Sequence, residues 1–210
     1  LELFYPRLIK STLKTNVAHS ALVSNTGCYI ISGGLGSLGL LTAKWLADHG
    51  ATHIVLLSRR GSPSQSVLES AAWDQLMEVK ASKGIKVDCM ACDVLSLKEC
   101  EGVVDALSDV TIKGFFHAAG VLHDAPLAKQ SRETIDKVFH AKVQGAWNFH
   151  SLLGSSLDHF VMFSSVASLF GNMEQSNYSA ANACLDGLAN HRRSRGLAAQ
   201  SIQWGPWTEG

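Results

Sequence analysis

The sequence predicts an α/β fold, a doubly wound parallel sheet, on three observations. Short apolar runs that read as buried strands alternate with longer stretches of helical spacing. A glycine-rich turn follows the first run and opens the first helical stretch. The 210 residues, 46% hydrophobic and 17% charged, suffice for one substantial core and are short for two.

In chain order, residues 1–9 have strand-like apolar character but 11–25 are polar and turn-rich. Residues 1–26 therefore read as a linker from something upstream, and 27–210 as the domain proper. The first strand is expected over 29–31, followed by a helix over 38–49 that stops at Gly50. Strands at 54–57, 87–91, 115–116, 160–163 and 201–204 are separated by helices at 63–82, 96–107, 131–153 and 178–195. Six strands joined by crossover helices make the doubly wound arrangement.

The composition excludes several classes of function. Eighteen basic residues balance eighteen acidic ones, so no net field draws the chain toward nucleic acid or an anionic membrane. No apolar run approaches the roughly 20 residues that span a bilayer. A start without methionine or signal-peptide order, and an end at Gly210 just after Trp204-Gly205-Pro206-Trp207, read as the ends of a piece of a longer polypeptide. Five cysteines, an odd number, suit a reduced cytoplasmic setting rather than a disulfide framework. Cys89 and Cys92 form a C-x-x-C, but in a strand, residues three apart point to opposite faces, which suits neither a metal site nor a redox turn. No histidine spacing suggests a metal.

The turn Gly33-Gly34-Leu35-Gly36-Ser37-Leu38-Gly39 stands where a strand hands over to a helix, the context in which glycines let backbone approach a pyrophosphate. The second strand ends in Ser58-Arg59-Arg60 and not in the acid that binds an unmodified ribose. A guanidinium grips phosphate oxygens in two places, so NADP(H) is expected over NAD. Asp93, with Val94 at the end of the third strand, has two readings, acceptor from an adenine amino group or cap of the next helix. Ala118, Ala119 and Gly120 supply small residues where a cofactor would lie against the fourth strand.

The second half carries the reacting groups. Tyr178 follows Ser165 by thirteen residues, with Asn182 one helical turn beyond and Lys142 on the long preceding helix. A free phenol ionises near pH 10, and a nearby cation favours the phenolate, so Tyr178 is the candidate acid and Lys142 the candidate cation. Ser165 would hydrogen-bond a substrate carbonyl, and Asn182 would position Lys142 or a relay water. Singly, each has a plainer alternative: Lys142 a solvated helix charge, Ser165 a strand-end cap, Asn182 a polar helix face. Together they suit carbonyl reduction.

These stretches, together with Cys92-Asp93-Val94, His117 to Val121, Lys142 to Gly145, Phe163 to Ala167, Tyr178 to Asn182 and Trp204 to Trp207, resemble the ketoreductase domain of modular polyketide and fatty acid synthases. That family lies within the short-chain dehydrogenase/reductase superfamily, so the sheet is expected to be Rossmann-like. Most of the superfamily places lysine four residues after the tyrosine; the exchanged Lys142 and Asn182 mark the synthase domains. The resemblance implies NADPH-dependent reduction of a β-ketoacyl thioester carried on an acyl carrier protein, with further synthase domains in the same polypeptide. It also implies a lid and a last strand beyond the Trp204–Trp207 stretch, and a structural subdomain upstream. A catalytically silent structural module of such a synthase, and a free-standing short-chain reductase, are the alternatives. In the family, aspartate at the third position of a Leu-Asp-Asp loop marks the producers of the D-alcohol, and tryptophan eight residues before the tyrosine marks the opposite group. Here Asp124 and Phe170 hold those positions, which implies the D-alcohol.

Overall fold

The structure is a computed structural model that describes residues 23–207. Its core is a six-stranded, wholly parallel sheet: β1 (Cys28–Ser32), β2 (His53–Ser58), β3 (Lys86–Ala91), β4 (Ile112–His117), β5 (His159–Ser165) and β6 (Gln200–Trp204), in the spatial order β3-β2-β1-β4-β5-β6. The chain builds outward from β1 to β3, then returns to lay β4 on the other side of β1. That reversal opens a crevice at the carboxyl ends of β1 and β4, the place where such sheets bind ligands.

Helices cover both faces, and the strands divide their side chains accordingly. Tyr29, Ile31, Ile54 and Leu56 pack against α1 (Ser37–Asp48) and α3 (Ala71–Lys83). Cys28, Ile30, Val55, Leu57 and Phe115 pack the other way, against α4 (Leu97–Ala106), α6 (Gly145–Leu152) and α8 (Ser176–Ser194). Burial on both faces is why the strands read as unbroken apolar runs. Cys89 and Cys92 fall on opposite faces, as their spacing requires.

Several elements depart from the sequence expectations for identifiable reasons. The helix expected over 63–82 is two, α2 (Gln65–Leu68) and α3, because the Ser70 hydroxyl donates back to the Val67 carbonyl and accepts from the Trp73 N–H, restarting the helix. The helix expected over 131–153 is interrupted: α5 (Arg132–Phe139) and α6 are joined by a π-turn, His140–Gln144. β4 begins earlier than its aromatic pair, since Gly114 leaves room for the Tyr29 ring on the neighbouring strand, where a β-carbon would stand 2.6 Å from the ring's Cδ1. Two short elements carry no periodic signal, the 3₁₀ turn Leu127–Lys129 and α7 (Ala167–Phe170). Of the linker expected over 1–26, residues 1–22 lie outside the described residues, as do 208–210. Among the described residues no helix is long and apolar enough to cross a membrane.

Candidate active site

The crevice holds two adjoining clefts that share Gly120, Val121 and Leu122. The larger, about 550 Å³, is lined by Gly33, Ser58, Arg59, Asp93, Val94 and Ala119 among others. Bare backbone makes it possible. Gly33 has φ +67°, and a β-carbon there would stand 2.7 Å from the Ala119 nitrogen. One at Gly34 would stand 2.8 Å from the Leu56 Cα. Leu35, Gly36 and Gly39 build the turn rather than line the cleft; Gly36 serves as N-cap of α1. No side chain caps that helix and no acid occupies its first turn, so its positive end is available to an anion.

At the end of β2 the Ser58 hydroxyl accepts from the Gly61 N–H and holds the arginine turn. Arg59 lines the cleft; Arg60 is exposed and outside the lining. Asp93 accepts from the Leu95 N–H through Oδ1, while the cap of α4 is Ser96, which accepts from Glu99. The helix-cap reading of Asp93 is thereby corrected: its carboxylate holds the turn before the helix and stands at the cleft. Lys137 and His140 join the lining from α5 and the π-turn, which sequence reasoning did not foresee.

The smaller cleft, about 210 Å³, brings together Leu38, Ala118, Lys142, Ser165 and Tyr178. Lys142 sits in the π-turn, 5% exposed, and its Nζ donates to the Phe163 carbonyl at 2.9 Å. That Nζ stands 5.1 Å from the centroid of the Tyr178 ring. Lys142 is therefore a buried cation of the site, not a solvated helix charge. Burial brings its ammonium down to about 8, against the pull of the Asp186 carboxylate, which favours the charged form. Asp186 lies two turns beyond Tyr178 and accepts from Ser168, Ser201 and Gln203, tying α7, α8 and β6 together. Sequence reasoning missed it, because a lone aspartate on a helix carries no local signal.

Ser165 combines two of its readings: it lines the cleft, and its hydroxyl accepts from the Ala167 N–H. The direct hold on Lys142, one of the two roles expected of Asn182, is not made. Its Nδ2 donates to the Tyr178 carbonyl, and no hydrogen bond joins it to Lys142; its buried Oδ1 has no partner among the described residues. Its carbonyl accepts from the Ser164 hydroxyl, so it locks α8 onto β5.

The loop after β4 is tied to the start of α8. Gln175 donates to Asp124, and the Ala125 N–H donates to the Glu174 carbonyl. The Asn177 Nδ2 donates to the carbonyls of His123 and Thr134 while its Oδ1 accepts from the Tyr178 N–H. Of the two residues read as steering the substrate, Asp124 and Phe170, neither lines a cleft: Asp124 is exposed on the loop that Gln175 holds, and Phe170 ends α7 with 66% of its surface exposed.

The family profile of the KR domain matches residues 27–209. The chain belongs to this ketoreductase family. The phenolphthiocerol synthesis polyketide synthase type I of Mycobacterium marinum is 42% identical over 184 residues, 86% of this chain and 8% of that protein. Polyketide synthase GfsA of Streptomyces halstedii is 37% identical over 99% of this chain and 3% of its own length. Among solved structures, A-type ketoreductases from a modular polyketide synthase superpose with a TM-score of 0.82 at 37% identity, over 94% of this chain and 40% of theirs. The first ketoreductase of the tylosin polyketide synthase gives 0.77 at 39% identity, over 88% and 39%. The chain thus spans a small part of its curated relatives and about two fifths of these structures. The sheet is the Rossmann-like one of the short-chain dehydrogenase/reductase type, as the ketoreductase resemblance implied.

Proposed function

We propose that this ketoreductase domain reduces a β-ketoacyl thioester on an acyl carrier protein to the β-hydroxyacyl thioester, using NADPH, within a polyketide synthase whose other domains share its polypeptide. The observation that carries the reading is the meeting of Lys142, Ser165 and Tyr178 in one small cleft that opens onto the larger one. The larger cleft fits a dinucleotide: a glycine turn that a single β-carbon would block, an uncapped helix start and Arg59. Bound there, the nicotinamide cofactor supplies hydride to the carbonyl carbon. The residues of the chain manage the oxygen. Ser165 donates a hydrogen bond to it, and Tyr178 gives it a proton. The Lys142 cation favours the phenolate left behind. Asn182 offers its unpartnered Oδ1 to a proton relay.

Arg59, at the cleft edge, supports NADPH over NADH, with Arg60 a second cation beside it. Asp124, held by Gln175 and adjacent in sequence to His123 of the larger cleft's lining, supports delivery of the carrier arm from one side and hence the D-alcohol. A wrong-face barrier about 2.7 kcal/mol higher suffices for a hundredfold bias. Five thiols without a disulfide suit a cytoplasmic setting. The test is turnover of a β-ketoacyl thioester with NADPH, followed by chiral chromatography of the product. No oxidation of NADPH sinks the catalytic reading in favour of a silent module, and a predominant L-alcohol sinks the role given to Asp124 alone.

A further inference from the structure

His117 closes β4 fully buried, with a polar atom against each ring nitrogen. The Lys142 carbonyl is 2.8 Å from Nε2, and the Ser32 hydroxyl is 2.7 Å from Nδ1. A carbonyl only accepts, so Nε2 carries the proton; in the neutral ring, Nδ1 is then the acceptor and Ser32 the donor. Burial first, and then the Lys142 charge, push the ring's pKa down to about 3, which keeps it neutral. Only one tautomer satisfies both neighbours.

Each neighbour bears on the site. Ser32 pairs in register with His117 across β1 and β4 and directly precedes the glycine turn. Lys142 lies in the π-turn, whose bonding departs from the α-helical ladder on either side: the Gly145 N–H reaches the carbonyls of His140 and Lys142. The turn also lies tight on the imidazole, since a β-carbon at Gly145 would stand 3.1 Å from its Cε1.

We infer that His117 is a positioning residue: its Nε2 proton anchors the backbone of Lys142 in the π-turn and thereby sets Nζ toward the Phe163 carbonyl and the Tyr178 ring. The inference rests on Lys142 as the active-site cation. Without the anchor the π-turn has an α-helical alternative, in which the side chain of Lys142 rotates about the helix axis away from the ring.

The test compares two substitutions in the full polypeptide. His117→Phe keeps a ring and removes both hydrogen bonds; His117→Gln keeps a donor for the Lys142 carbonyl. His117→Phe is expected to lower kcat roughly tenfold, the loss that about one hydrogen bond to a reacting assembly produces. KM for NADPH should stay unchanged, and the alkaline limb of the pH–rate profile should move. His117→Gln should restore most of kcat and the wild-type profile. Equal losses in both variants, tracking their thermal stability, would reduce His117 to a packing residue and overturn the inference. So would full kcat in His117→Phe when Lys142→Ala is inactive. A wild-type protein without reductase activity defeats instead the functional reading on which this rests. Nitrogen-15 NMR of the unliganded protein gives a second arm independent of turnover and of whether the variants fold. It should show protonated Nε2 and bare Nδ1, and the opposite tautomer or a charged ring at neutral pH refutes the assignment.

Discussion

The two halves of the crevice are built in different materials. The cofactor side, at the ends of β1 and β2, is made of backbone: Gly33 against Ala119, Gly34 against Leu56, an uncapped helix start. Its shape follows from what is absent, the β-carbons. The chemical side, at the ends of β4 and β5, is made of side chains from separate elements, Lys142, Ser165 and Tyr178, each held through someone's carbonyl or amide. A cradle of backbone is rigid at little cost in side-chain entropy, whereas a constellation of side chains needs an outer layer of hydrogen bonds to hold it.

This contrast predicts where damage shows. Tyr178→Phe removes a reacting proton and no packing, so kcat should fall by a factor on the order of 10²–10⁴ while cofactor affinity and melting temperature hold. A variant that keeps most of its turnover would move proton donation to another group. Next in size is Arg59→Ala, which should cost NADPH binding about 1.5–3 kcal/mol, the range for hydrogen bonds to charged groups, and leave NADH nearly untouched. Equal affinities for both cofactors in the wild type, by fluorescence titration, would end the phosphate assignment.

Gly34→Ala inverts the first experiment. Its β-carbon would press on the Leu56 backbone at 2.8 Å, so the expected cost is about 1–3 kcal/mol of stability, with weaker cofactor binding and an unaltered reacting set. A variant as stable as the wild type would show that the turn yields. The smallest effect is a response to acid. His117 and His150 are buried or partly buried, and His150 accepts from Arg192 through Nδ1 at 2.8 Å. Burial, then nearby cations, lower both rings' pKa values in the folded state. A lowered folded value means that the stability from the neutral ring is complete above the unfolded value near 6.5 and is lost as pH falls below it, toward about 3 for His117. Hydrogen exchange on acidification from about pH 7 to pH 5 should therefore loosen β4 and α6 before α1. Earlier loosening at α1 would contradict the contrast between the halves.

The same contrast explains what the sequence disclosed. The glycine turn was legible because its requirement is local: strand, small residues, helix, in that order. The candidate reacting residues Lys142, Ser165 and Tyr178, which the structure brings into one cleft, were legible through their spacing, but their supports were not. The π-turn shifts the phase of the apolar stripe once, between two helical segments of only eight residues each, too short on either side for the shift to show, so residues 131–153 read as one helix. Arg59 and Arg60 are neighbours in a tight turn, and only the fold decides which one faces the cleft. Asp186 and the Ser70 restart depend on a single hydroxyl or carboxylate finding a partner, which no pattern announces. Phe170 was placed by its distance from Tyr178, a distance that says nothing about the short α7 that swings it outward.

Asn177 gives the loop after β4 and Tyr178 a common hinge pin: one amide grips the His123 and Thr134 carbonyls and the amide of Tyr178. The two are thus not separate parts for the protein engineer. A loop transplanted over residues 121–126, the exchange that the role proposed for Asp124 invites, would pull on the first turn of α8 and retune the reach of Tyr178, so exchanges that leave the Asn177 grip out of the graft should trade selectivity against speed.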